Sequence, residues 1–260
     1  SRVNGFIFVM EFAEFAAMLS VLSLILVLFK LKKKSYKIII SMIAVGSFIS
    51  MIMTKTRGVW LAYILTIIIV LFLKNKKYLV CFLLSGLLFL SFVFGTNIFK
   101  NNQYYKRFKS IGNVETNSSN TTRLRLWKGS VDIIKDNIYF GIGFNNFSKE
   151  IKKEKYNYGK IVSRAHAHNN YLQVGLSTGL IGMILLIIIH IYVIYYFILN
   201  YRHQEDENIK LMNIILLSFW TIYIFHGLTE VTIEDTYTSR FIWVLMGLAN
   251  IINKPQKEVV

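Results

Sequence analysis

Arg57, Arg123 and His168 have the chemistry and setting to hold an anion and move a proton. Arg57 lies in Thr54-Lys55-Thr56-Arg57-Gly58-Val59-Trp60, between two apolar runs. A guanidinium there sits at a bilayer surface, where its planar fork can grip phosphate oxygens in two places. A snorkelling arginine at a helix end has the same signature. Arg123 lies in Thr121-Thr122-Arg123-Leu124-Arg125-Leu126-Trp127. Arg123 and Trp127 are four apart and share a helix face. Polar residues just before them suit an N-terminal cap, where backbone amides favour anions. A solvated basic helix with one packing tryptophan fits equally. His168 lies in Arg164-Ala165-His166-Ala167-His168-Asn169-Asn170-Tyr171. A neutral imidazole is the usual general base near neutral pH, although interfacial histidines are often structural. On a helix, His166 and His168 point in different directions. With no cysteine or acidic ligand nearby in sequence, they are not expected to bind a metal. Glu230, Glu234 and Asp235 form an acidic turn before the last apolar run, suited to a sugar hydroxyl or to solvent.

These residues punctuate a chain of membrane composition. It is 54% hydrophobic, 17% charged and has one proline in 260 residues, whereas soluble domains carry about a quarter charged residues. Seven apolar runs are candidate spans: 6–29, 38–53, 59–73, 79–95, 171–199, 211–228 and 239–252. A span needs about 20 residues, so the shorter runs must borrow polar flanks. The short loops at 30–37, 74–78 and 200–210 and the tail hold twelve Lys and Arg. The opposite short loops hold Lys55, Arg57 and Arg240, with Arg2 at the start. The lysine-rich side is therefore expected to be cytoplasmic, with residue 1 outside and the C-terminus inside. The first run contains Glu11 and Glu14 and lacks a basic n-region, so it does not read as a signal peptide. The chain reads as the C-terminal part of a longer protein.

The expected organisation is four transmembrane helices in 1–95, a large extracytoplasmic loop in 96–170 with short helices, and three transmembrane helices and a tail in 171–260. The loop carries fourteen Lys and Arg. Asn113 to Thr122 reads as irregular, and Leu124, Trp127, Val131 and Ile134 as one apolar helix face. Gly141 and Gly143 mark a turn and, lacking a third glycine and a βαβ context, are no dinucleotide fingerprint. The net charge of +16 lies in connecting segments. It points to anionic lipid headgroups or a phosphorylated substrate, not nucleic acid. Cys81 lies in an apolar run and reads as a packing residue. His190 and His226 lie in or near spans, where packing and function are both open. Asn117 and Asn120 stand in glycosylation-type tripeptides.

The ordered set Thr56-Arg57-Gly58-Val59-Trp60-Leu61-Ala62, Arg123-Leu124-Arg125-Leu126-Trp127, Phe140-Gly141-Ile142-Gly143 with Phe147, and His168-Asn169 before Gly179-x-x-Gly182 resembles the O-antigen ligase and polymerase superfamily. The resemblance runs over about residues 2–250 and departs from the family pattern where Ile138 replaces a proline before the glycine turn. It implies an all-α polytopic membrane glycosyltransferase of GT-C type in the bacterial cytoplasmic membrane. The implied reaction is metal-independent, inverting transfer of a glycan from a polyprenyl-pyrophosphate donor to an acceptor hydroxyl, with no cofactor. Carried over by motif, Arg57 and Arg123 hold the pyrophosphate, with Arg125 as the alternative if the register is off by a turn. His168 is the base; His166, Asn169, Trp127 and Glu230 are candidate supporting residues of the site. Implied partners are the lipid-linked donor, a glycan or lipid acceptor, membrane lipids and polysaccharide-assembly proteins. Polymerase and ligase share these motifs, and the Lys-, Ile- and Asn-rich composition leans toward a surface-polysaccharide polymerase. The alternative from another class is a polytopic transporter of an anion or small solute, which would place polar groups near the midplane.

Overall fold

A computed structural model describes residues 8–96, 102–111, 118–159 and 166–253. Its helices are α1 (Val9–Phe29), α2 (Lys34–Met53), α3 (Arg57–Lys74), α4 (Lys76–Gly95), α5 (Gln103–Lys109), α6 (Ser118–Asp136), α7 (Phe147–Glu150), α8 (Asn170–His203), α9 (Glu207–His226) and α10 (Thr236–Ile252). No strand occurs among the described residues. Five helices, α1, α2, α3, α8 and α9, are long and apolar enough to cross a membrane. The helices take in the polar flanks that the shorter apolar runs lacked; α2 begins at Lys34 and α3 at Arg57 itself.

Helix α9 is the axis of the bundle. It is buried along most of its length and is packed by α1, α3, α8 and α10, while α2 leans on α1. Trp220, Tyr223, Phe197, Met18 and Ile25 fill the shared core. The outer faces of α2 and α8 remain apolar and exposed, as at Met42, Val45, Leu185, Ile188 and Ile191. In a bilayer such faces meet lipid tails, so close packing rather than water exclusion must hold the helices together.

A second, smaller core lies at one end of the bundle, where α6 and α7 pack on the start of α8 through Leu126, Ile133, Phe147, Ile151 and Leu176. It corrects two sequence readings. Ser118–Thr122 are not irregular but form the first turn of α6; 112–117 lie outside the described residues. The buried face of α6 is Leu126, Gly129, Ser130 and Ile133 with Ile134, while Leu124 and Val131 are exposed. A count of apolar residues misses this face because two of its five residues are glycine and serine. At Gly129 a Cβ would collide with the Tyr156 carbonyl, so its absence lets the 147–159 segment approach. Tyr156 Oη then donates to Asp136 at 2.7 Å, and Tyr158 Oη to Asp132 at 2.6 Å.

The Gly141–Gly143 turn is stitched into α8. Gly179 is non-helical, with φ 77° and ψ −173°. At that break Leu180 N donates to Ile138 O at 2.8 Å and Leu176 O accepts from Ile142 N at 2.7 Å. In an unbroken helix Leu180 N and Leu176 O would bond each other. The backbone region of Gly179 is essentially closed to side chains, and a Cβ there would collide with the Tyr139 carbonyl. Gly179→Ala is therefore expected to destabilise the protein by at least about 1–3 kcal/mol. A thermal unfolding scan in detergent checks this; an unchanged midpoint would show that the break does not require glycine.

Candidate functional site

The α2–α3 turn makes one wall of the site. Lys55 takes a left-handed conformation, φ 58°, which reverses the chain within three residues and starts α3 at Arg57. The Arg57 side chain is only 6% exposed, so it does not snorkel toward lipid. Its Nη1 donates to Ser110 O at 2.8 Å and Ser110 Oγ at 2.9 Å, and its Nη2 to Asn120 Oδ1 at 2.8 Å. Arg107 Nε donates to Lys55 O at 3.3 Å, and Lys55 Nζ to Gln103 Oε1 at 2.9 Å. These contacts lay α5 and the start of α6 over the turn, and bring Arg107 beside Arg57.

The opposite wall is the junction of α8 with the 227–235 segment. Asn169 caps α8: its Oδ1 accepts from Leu172 N at 3.0 Å, and its Nδ2 donates to Leu228 O at 3.0 Å. Asn170 completes the join, which sequence reading did not assign to it. Its Oδ1 accepts from Thr232 N and Ile233 N, its Nδ2 donates to Thr232 Oγ1, and its backbone N–H donates to Gly227 O. The two asparagines so fix His168 against Glu230, from 62 residues away in sequence, with Nδ1 to Oε1 at 2.7 Å. Because the carboxylate only accepts, His168 carries its proton on Nδ1 and leaves Nε2 as a base. His168 itself sits at φ 53°, a left-handed conformation that is uncommon outside glycine. Trp127 secures the same loop, donating from Nε1 to Ala167 O at 3.1 Å.

Glu230 is not solvated. It is 5% exposed, and besides His168 it faces His166 Nδ1 at 3.6 Å and Arg123 Nη2 at 3.5 Å. Burial pushes its carboxyl up, but the His168 hydrogen bond and the charges of His168, His166 and His226 prevail and bring it down to about 2. It is therefore a carboxylate across the physiological range. The other acids of the turn part company: Glu234 accepts from Gln173 Nε2 at 2.9 Å. Asp235 is raised to about 7 by burial and by the charges of Glu11, Glu14 and Glu230.

Arg57, Arg123, His168 and Glu230 line one cavity of about 420 Å³, together with Lys55 and Arg107. Lys55, Arg57, Arg107 and Arg123 bring four cations to its wall against the one carboxylate, and the N-terminus of α3 opens onto it. Such a surplus favours a polyanion. His226 also lines it and holds Glu14 of α1 at 3.2 Å beneath the floor. Arg125 is not among the lining residues; its guanidinium packs against Gly159. Arg164 and Asn117 lie outside the described residues. Lys55, Arg107 and His226 were not singled out as site residues by sequence. Lys55 and Arg107 look like ordinary loop cations, and only the docking of α5 separates them from the rest.

His166 and His168 do not diverge. They lie in a loop, not a helix, with ring centroids 4.3 Å apart and planes at 68°. Burial, and next the charge of His168, lower the His166 pKa, favouring its neutral form. With Glu230 they place three metal-ligand atoms within 4.8 Å of one another. The acidic ligand that the local sequence lacked is supplied by the far end of the chain.

Comparison with known proteins gives two findings. The family model described as O-antigen ligase matches residues 42–187, which include the α2–α3 turn, α6 and the His168 loop. An uncharacterized protein of Haemophilus influenzae is 28% identical over 229 residues, covering 79% of this chain and 55% of that protein. The chain thus spans about half the length of the curated relative it matches.

Proposed function

Because the chain belongs to the O-antigen ligase family, we propose that it transfers a glycan from a polyprenyl-diphosphate donor to an acceptor hydroxyl at the outer side of the bacterial cytoplasmic membrane. The observation that carries this is the shared cavity of Arg57, Arg123 and His168, with Glu230 fixing His168 Nδ1. In this reading α4 and α10 join the five long apolar helices as spans in a GT-C-type fold. The site end faces outward, and the lysine-rich loops face the cytoplasm.

The chemistry follows from the groups in place. His168 Nε2 takes the proton of the acceptor hydroxyl as its oxygen attacks the anomeric carbon from the side opposite the diphosphate. The carbon–oxygen bond to the phosphate breaks, and its electron pair leaves with the diphosphate, so the configuration inverts. Glu230 stabilises the imidazolium until solvent removes the proton. Arg57 and Arg123, joined by Lys55 and Arg107, offset the charge gathering on the leaving group. Preorganised donors of this kind act most strongly in a site with little water. A lipid-linked diphosphate lies at headgroup height, which suits an arginine at the first residue of a membrane helix. Energy is stored in the donor, so neither nucleotide nor metal is needed. Elongation of a surface polysaccharide and transfer to a separate acceptor both satisfy this chemistry, and the Lys-, Ile- and Asn-rich composition leans toward the polymerase.

The test uses the intact protein in nanodiscs with a polyprenyl-diphosphate glycan and acceptor, with chelator present and nucleotide absent. Release of polyprenyl diphosphate together with an inverted glycosidic product is expected. Donor left intact after prolonged incubation with an acceptor taken from the same pathway would refute the proposal.

A further inference from the structure

We propose that His166, His168 and Glu230 form a binding site for a divalent transition ion, zinc above all, whose occupation turns off His168 as a base. Only the second half of this statement rests on the function proposed above; the binding does not. His166 is the group that mechanism leaves unused, yet its ring is held against His168 and Glu230. The three donor atoms lie within 4.8 Å of one another, with Glu230 Oε1 at 2.7 Å from His168 Nδ1 and 3.6 Å from His166 Nδ1. A tetrahedral zinc with bonds of about 2.0–2.1 Å spaces its ligands by roughly 3.4 Å. The two spacings from Glu230 Oε1 bracket that value.

The donors are also of the right kind and firmly placed. Two imidazoles and one carboxylate, with a fourth position open, are a ligand set zinc accepts. Imidazole nitrogen favours zinc, cobalt, nickel or copper over magnesium. His166 Nδ1 is the unprotonated ring nitrogen, since it accepts the His168 backbone N–H at 3.3 Å; that long hydrogen bond is what an ion would displace to take the lone pair. The loop between the histidines is fixed on both sides of Ala167, by Trp127 to its carbonyl and by Gln173 Oε1 to its amide at 3.0 Å. Such outer contacts orient ligands before the ion arrives. The opposing term is the cation surplus of the cavity. Arg123, the nearest cation, meets Glu230 through Oε2 at 3.5 Å, which leaves Oε1 for the ion. Arg123 and its neighbours weaken the site without blocking it.

The consequence for His168 is a change of tautomer. At present its Nδ1 bears the proton and Nε2 the lone pair. An ion on Nδ1 moves that proton to Nε2, which can then no longer accept one from a hydroxyl. Zinc is therefore an inhibitor in this scheme, not a cofactor.

The experiment titrates the intact, substrate-free protein in detergent with zinc chloride by calorimetry. Cobalt absorption serves as a report of tetrahedral geometry and magnesium as a control. Wild type is expected to bind one zinc per chain and to ignore magnesium. His166→Ala and, separately, Glu230→Gln should each weaken zinc by at least about tenfold, since even losing a ligand's outer partner costs that much. In the transfer assay, zinc should inhibit wild type reversibly on adding chelator. His166→Ala should need about tenfold more zinc or above for the same fractional loss, measured against its own metal-free rate. Identical zinc titrations in wild type and both variants, or no zinc bound at all, would overturn the site. Zinc binding that depends on His166, in a protein with no transferase activity under any condition, upholds the site and counts against the transfer reading alone.

Discussion

Replacing His168 by alanine is expected to slow glycan transfer by about 10²–10⁴-fold, the usual contribution of a positioned general base, while donor binding persists. The expectation rests on two features. Glu230 engages Nδ1, so Nε2 is the basic atom, and the cavity that Nε2 would serve is lined by cations for the leaving group. Because His168 sits at φ 53°, alanine brings a backbone cost of its own. His168→Asn separates the effects: asparagine tolerates the left-handed region but has no basic nitrogen. Single-turnover kinetics with saturating donor should show the two variants equally slow. Wild-type rates in His168→Asn, with normal folding, would remove His168 from the mechanism. Glu230→Gln should fall between, since it keeps a hydrogen-bonding group beside Nδ1 and loses the charge that stabilises the imidazolium.

The second large effect is expected at Arg57, where alanine should lower kcat/KM for the donor by about 10²–10³-fold, the scale found when one donor to a developing anion is removed. Arg57 has two tasks that must be told apart. It also anchors Ser110 and Asn120, so its loss will loosen α5 over the α2–α3 turn. Hydrogen exchange at Tyr104–Ser110 reads the anchoring, and donor kinetics read the binding. Arg57→Lys keeps the charge but cannot span Ser110 and Asn120 with one planar group. It is expected to recover part of the donor affinity and little of the exchange protection. Lost protection with unaltered donor kinetics in Arg57→Ala would leave Arg57 a purely structural role.

Sequence resolved the parts of this protein that are local. Apolar runs gave the long helices because a span is a contiguous signal, and the flanking arginines marked helix ends such as Arg57. The Gly179-x-x-Gly182 text flagged a special place in α8 but not its cause, a backbone exchange with Ile138 and Ile142. What stayed hidden was long-range pairing. Glu230 was legible as an acid and not as the partner of His168, because no periodicity connects positions 62 apart. His166 and His168 were judged by helix geometry, and the loop they occupy obeys none. The packed face of α6 was mistaken because Gly129 and Ser130 carry contacts that a hydrophobicity pattern does not weigh.

The segment between α4 and α8 is fastened differently along its two edges. Near Gly179 the fastening is main chain spliced into main chain, and undoing it unravels a turn of α8. At α5 the fasteners are Arg57, Lys55 and Arg107, side chains that rotate freely once released. The first edge is therefore the costlier of the two to open. The same cations line the cavity, so an anion bound there would compete for them with Ser110, Asn120 and Gln103 and loosen α5 before any other element.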